Sequence, residues 1–123
     1  MATYQPGERG SFEAAADLSA KRYHGVKLDA NGKLVLASAG TDNIIGVLDS
    51  DTKLGHTADV VLINGAGTFK AKAGAAIAKD ALITANASGQ AVTAVAGDRA
   101  FGRTLAAVAS GEVFEYLKVN EKA

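Results

Sequence analysis

The side chains best suited to chemistry are His24 and His56, which with Asp49, Ser50 and Asp59 supply the residue types of a Ser-His-Asp hydrolase. Such a set works only when the base touches the nucleophile and a carboxylate orients the base; its common local sign is a nucleophile-elbow motif. Ser50 has no such motif around it, and neither histidine recurs where the chain repeats itself, so structural or surface roles are expected for both. Asp49-Ser50-Asp51 opens like a calcium loop. Lys53, however, stands where the next oxygen ligand is needed, and the loop's glycine and closing glutamate do not follow. No H-E-x-x-H pair occurs. Glycine is abundant, yet there is no G-x-G-x-x-G or G-x-x-x-x-G-K-[ST] signature, and Gly65-Ala66-Gly67 leads into a strand pattern rather than a phosphate-cradling helix N-terminus. No catalytic residue, metal site or cofactor is expected.

Any functional surface must therefore rest on the scaffold, and the scaffold is written twice. Gly10-Ser11-Phe12-Glu13-Ala14 returns as Gly67-Thr68-Phe69-Lys70-Ala71, and at the same spacing Gly32 meets Gly89 and Gly40 meets Gly97. After a one-residue slip, Gly46 meets Gly102 and Gly55 meets Gly111. The endings agree as well, Asp59-Val60-Val61-Leu62-Ile63-Asn64 against Glu115-Tyr116-Leu117-Lys118-Val119-Asn120. The expected organisation is an extended N-terminal arm over residues 1–10 and a single β domain over 11–123, with repeat one at 10–66 and repeat two at 67–123.

Along the chain, the arm holds the only proline and several polar residues, a composition that buries too little to order itself. From Ser11 the apolar positions alternate, and Tyr23 to Leu28 reads as a strand. The alanines of Ala14–Ala20 and Ala75–Lys79 leave room for a helical turn at each place. Asp29-Ala30-Asn31-Gly32-Lys33 is the clearest turn, with Asn-Gly supplying positive φ angles for a tight hairpin, and Leu34–Ala37 is its returning strand. Ile44–Leu48 and Ala100–Leu105 are strands with a glycine inside, the sign of a bulge or a close backbone approach. Val60–Ile63 is apolar on both faces, as a central strand would be. Repeat two gives Thr68–Ala73, Ala81–Thr84, Gln90–Ala94 and Val113–Val119 in the same order. Short strands with frequent turns predict a mainly β fold: a small β-barrel or β-sandwich of two tandem, pseudo-symmetric repeats, with at most one or two helical turns.

Composition narrows the partners. Twenty-six alanines account for much of the hydrophobic fraction, and alanine buries little area, so the core is thin and a subunit stabilised by a partner is expected. Thirteen basic and thirteen acidic residues cancel and are dispersed, whereas nucleic-acid binding needs clustered Lys and Arg; no nucleic acid is expected. The absence of cysteine fits folding in a reducing cytoplasm. The opening residues lack a basic-then-apolar pattern, and no apolar run approaches the roughly 18 residues of a spanning helix, so a soluble protein without a membrane partner is expected.

Ala71-Lys72-Ala73 is faintly similar to the modified lysine of biotinyl and lipoyl carrier domains, which makes a small β-barrel carrier or ligand-binding module the alternative reading. Far more of the chain resembles the phage capsid decoration, or cement, proteins, in the small family long filed as a domain of unknown function. The residues that carry this resemblance are the Gln5-Pro6-Gly7 arm, Ile44–Leu48, Gly65–Phe69, Ala75–Ile83, and Gly102–Leu105 followed by Gly111-Glu112-Val113. The resemblance implies a structural protein of the virion, made in the host cytoplasm. It would bind the outer surface of the assembled capsid and bridge neighbouring major capsid proteins to stabilise the head. It also implies contact with itself as a trimer at three-fold or quasi-three-fold positions in some members. The capsid contact is expected on the arm and its root, at Tyr4, Gln5, Pro6, Glu8, Arg9 and Phe12.

Overall fold

The computed structural model describes residues 7–123. These residues form ten strands and no helix: β1 Arg9–Glu13, β2 Gly25–Leu28, β3 Leu34–Leu36, β4 Gly46–Leu48 and β5 Thr57–Leu62, then β6 Thr68–Lys72, β7 Leu82–Ala85, β8 Ala91–Thr93, β9 Arg99–Thr104 and β10 Val113–Lys122. The first five make an antiparallel sheet in the order β1-β5-β4-β2-β3, and the second five repeat that order as β6-β10-β9-β7-β8. The duplication expected from the glycine spacing is thus a duplication of topology. In each sheet the two edges meet at a single parallel bridge, Ala14 with Leu34 and Ala73 with Ala91, so each rolls strongly but neither closes into a barrel.

The alanine-rich stretches form bends around isolated bridges instead of helical turns. Ala14–Ala20 and Ala75–Lys79 are pinned by equivalent backbone bonds, Leu18 N to Thr52 O and Ile77 N to Val108 O, which bury Leu18 and Ile77. Burial of one apolar side chain outweighs the few tenths of a kilocalorie by which alanine favours helix over its competitors. The Asn31-Gly32 turn forms, with only Gly32 at positive φ (75°). Asn31 is spared because the Asp29 carboxylate accepts from the backbone N–H groups of Asn31 and Lys33 and caps the loop itself. Asn86 does the same for Ser88 and Gln90 in repeat two.

The register corrects the alignment of the first strand. Ala14 N donates to His56 O and Gly55 N donates to Ala14 O; in repeat two these bonds run from Ala73 N to Glu112 O and from Gly111 N to Ala73 O. Ala14 therefore matches Ala73 rather than Ala71, and β1 slides two residues against β6. Side chains alternate with period two along a strand, so a slip of two preserves the pattern that suggested the wrong match. Phe12 consequently corresponds to Ala71, and Phe69 to Gly10.

Each repeat has its own interior. Leu18, Val26, Leu34, Leu48 and Val60 fill repeat one; Ile77, Ile83, Phe101, Phe114 and Tyr116 fill repeat two, where Phe101 and Tyr116 meet edge to face at 5.3 Å between ring centroids. Ala37, Ile44 and Val47, on the outside of sheet one, pack into the repeat-two cluster and join the halves. Backbone bonds stitch the same seam: Gly25 N to Gly89 O, Lys72 N to Tyr23 O and Arg99 N to Gly40 O.

Candidate functional site

His56 is exposed on the loop before β5, while His24, Ser50 and Asp49 are occupied elsewhere. His24 is buried, its Nδ1 lies 3.2 Å from the Arg22 carbonyl oxygen, and burial lowers its pKa below the usual imidazole value. Ser50 Oγ shares a hydrogen bond with Thr52 Oγ1 at 2.8 Å and accepts from the Asp59 backbone N–H. Asp49 pairs with the guanidinium groups of Arg9 and Arg22. Lys72 sits at the end of β6, its backbone N–H spent on Tyr23 O, and not at the tip of a hairpin as a carrier lysine would. No cluster of metal-ligating side chains occurs among the described residues.

Of the residues expected to meet a capsid, Tyr4, Gln5 and Pro6 lie outside the described residues. Glu8 is exposed at the root of the arm, where its carbonyl accepts from Leu62 N. Arg9 begins β1, two residues earlier than the arm's composition suggests, and pairs in register with Val61. Its side chain ties the repeats together: one end reaches Asp49, and the guanidinium lies 5.9 Å from the centre of the Phe69 ring. Phe69 in turn meets Tyr23, over which Arg22 sits at 4.9 Å. Tyr23 holds a positive φ of 72°, a conformation that costs a bulky residue about 1–3 kcal/mol and persists only where its surroundings enforce it.

Phe12, half-buried, opens onto a cavity of about 370 Å³ between the repeats. Its floor is apolar, with Ile45 and Leu62 from repeat one and Phe101 from repeat two. Its rim is polar, formed by Asn43, Asn64, Arg99 and Asn120. By the offset of the later strands, Asn64 corresponds to Asn120 and Asn43 to Arg99, so the same two positions of both repeats converge on one opening. Sequence reasoning did not find this rim. The paired asparagines closing the two matching endings were its visible trace, but nothing in the chain showed that they meet.

A second surface emerges from comparing the halves. Val61 on the outer side of β5 is 4% exposed and pairs with Val47, which packs into the repeat-two cluster. Its counterpart on β10, Leu117, is 39% exposed, and Val113 and Leu105 beside it are also open. Sheet two therefore leaves open, at Leu117, the apolar position that sheet one buries at Val61.

Comparison with known proteins agrees with this architecture. A family model described as phage cement protein matches residues 5–119. Among solved structures, the N base of the head fiber gp8.5 of bacteriophage phi29 superposes with a TM-score of 0.70 at 17% identity, over 94% of this chain and 96% of that one. No curated protein matches the sequence.

Proposed function

Because the chain belongs to the phage cement protein family, and is thus a structural protein of the phage head, we propose that it binds the outer surface of the assembled capsid and bridges neighbouring major capsid subunits. The family match over residues 5–119 carries the capsid assignment. Bridging needs two contact regions on one molecule, and the fold offers two: the cavity with the arm root at Glu8 and Phe12, and the bare face of sheet two at Val113 and Leu117. The action is by mass action. A protein that contacts two subunits at once binds the assembled shell and not separated subunits, so each bound copy adds its binding free energy to the shell, about 2.7 kcal/mol at a hundredfold excess over Kd.

The test is co-sedimentation of the purified protein with expanded heads stripped of it, with ultracentrifugation of the free protein to show whether it arrives as monomer or trimer. Saturable binding at a fixed ratio to the capsid subunit is expected. Failure to sediment with cognate heads would remove the proposal.

A further inference from the structure

The cavity between the repeats specifies the chemistry of what it receives. Sites for specific binding combine an apolar floor with a few convergent polar groups, and this one has Phe12, Ile45, Leu62 and Phe101 beneath Asn43, Asn64, Arg99 and Asn120. Among the described residues, none of those four rim side chains has a hydrogen-bond or ion-pair partner. The nearby carboxylates have other contacts: Asp42 is held by Lys27 and by the backbone of Ser38, Glu121 by Arg103 at 3.8 Å, and Asp98 by the backbone N–H of Val95. Among the described residues Arg99 is the one charged side chain lining the cavity, a cation without an ion-pair partner, flanked by amides able to donate and accept. A guanidinium in that setting fits a carboxylate, which it binds bidentately, while the amides fit the peptide groups of an extended chain. About 370 Å³ accommodates one or two large apolar side chains rather than a folded element.

We infer that this cavity receives a segment of the major capsid protein in which a large apolar side chain inserts between the repeats and a neighbouring Asp or Glu pairs with Arg99. The inference rests on the capsid-binding reading and gives it a site. Phe12 would then contact the capsid from the cavity floor.

The experiment measures binding of wild type, Arg99→Glu and Asn120→Ala to stripped, expanded heads, and places a photo-crosslinking amino acid at Leu28, an exposed position on the cavity lining. Arg99 and Asn120 are exposed, so both variants should keep the wild-type melting temperature. Arg99→Glu should weaken binding at least tenfold, Asn120→Ala several-fold, and the cross-linked capsid peptide should carry a carboxylate within a few residues of its apolar anchor. If wild type binds and Arg99→Glu binds equally well, the cavity is not the contact, although the capsid reading stands. If wild type itself fails to bind, the capsid reading falls and the inference with it. Cross-links to a second copy, to the chain's own first six residues, or to a capsid segment without an acidic residue would each overturn the occupant named here.

Discussion

Phe12 pairs across the strands with Ala58, whereas at the equivalent positions of repeat two Ala71 pairs with Phe114. One large and one small side chain fill each site, with the order reversed, so each interior keeps its volume while the sequences diverge. That reversal hid the true register: the phenylalanines at positions 12 and 69 advertise a match that the hydrogen bonds do not make. Phe12→Ala should cost about 2 kcal/mol by leaving a void, and Ala58→Phe about 1–3 kcal/mol by overpacking. The double variant should recover at least about 1 kcal/mol of their sum in a denaturant-melting cycle; simple additivity would show that the two sites are not alternative packings. His24 gives a second test at this scale. Its pKa is lowered by burial, so the unfolded chain binds the proton more readily than the folded one. Stability from this group is complete above its unfolded pKa, near 6.5, and falls as pH drops through and below that value. The melting temperature should therefore decline between pH 7 and 5, and His24→Gln should flatten that slope; an unchanged slope would assign it to other groups.

Among the elements, most strand positions along the chain were legible, because alternation and turn chemistry are local. What was not legible needed a partner strand to be seen: the register of β1, the bridge that pins Ile77 to Val108 within Ala75–Lys79, and the continuation of β10 to Lys122, whose polar end is held by pairing with β9 after a bulge between Lys118 and Glu121. The glycine expected to mark a close approach does so. A side chain at Gly46 would run into the Val61 carbonyl oxygen and the Val60 side chain, so Gly46→Ala should cost about 2–4 kcal/mol by equilibrium unfolding. A wild-type midpoint would mean that the strands can separate there. The start of β1 also sets where the arm can be cut. Removal of residues 2–6 should leave the melting temperature unchanged and weaken head binding. Removal of residues 2–10 takes Arg9 and Gly10 out of the sheet, with their pairing to Val61 and Val60 and the ion pair to Asp49, and should lower the melting temperature measurably. Equal stability of the two truncations would show that these pairs contribute nothing.

At the scale of the whole molecule, the repeats meet unequally: Ala37, Ile44 and Val47 of repeat one are buried in the repeat-two cluster, whereas Leu117, the counterpart of buried Val61, is bare. A duplicated unit that joined its copies face to like face would have left no such surface. The bare side suits the proposed bridging of two subunits, because affinity for a single subunit stabilises nothing; only a difference in affinity between assembled and separated states shifts that equilibrium. Leu117→Glu separates the two ideas. Leu117 is exposed, so the variant should melt with wild type while binding heads more weakly. When its concentration is raised until the heads are fully occupied, the wild-type protein should raise their melting temperature and the variant should not, since a molecule held through the cavity alone grips one subunit. Full protection by the variant at full occupancy would show that the bare face takes no part in bridging, and the second contact would then have to be sought on the arm.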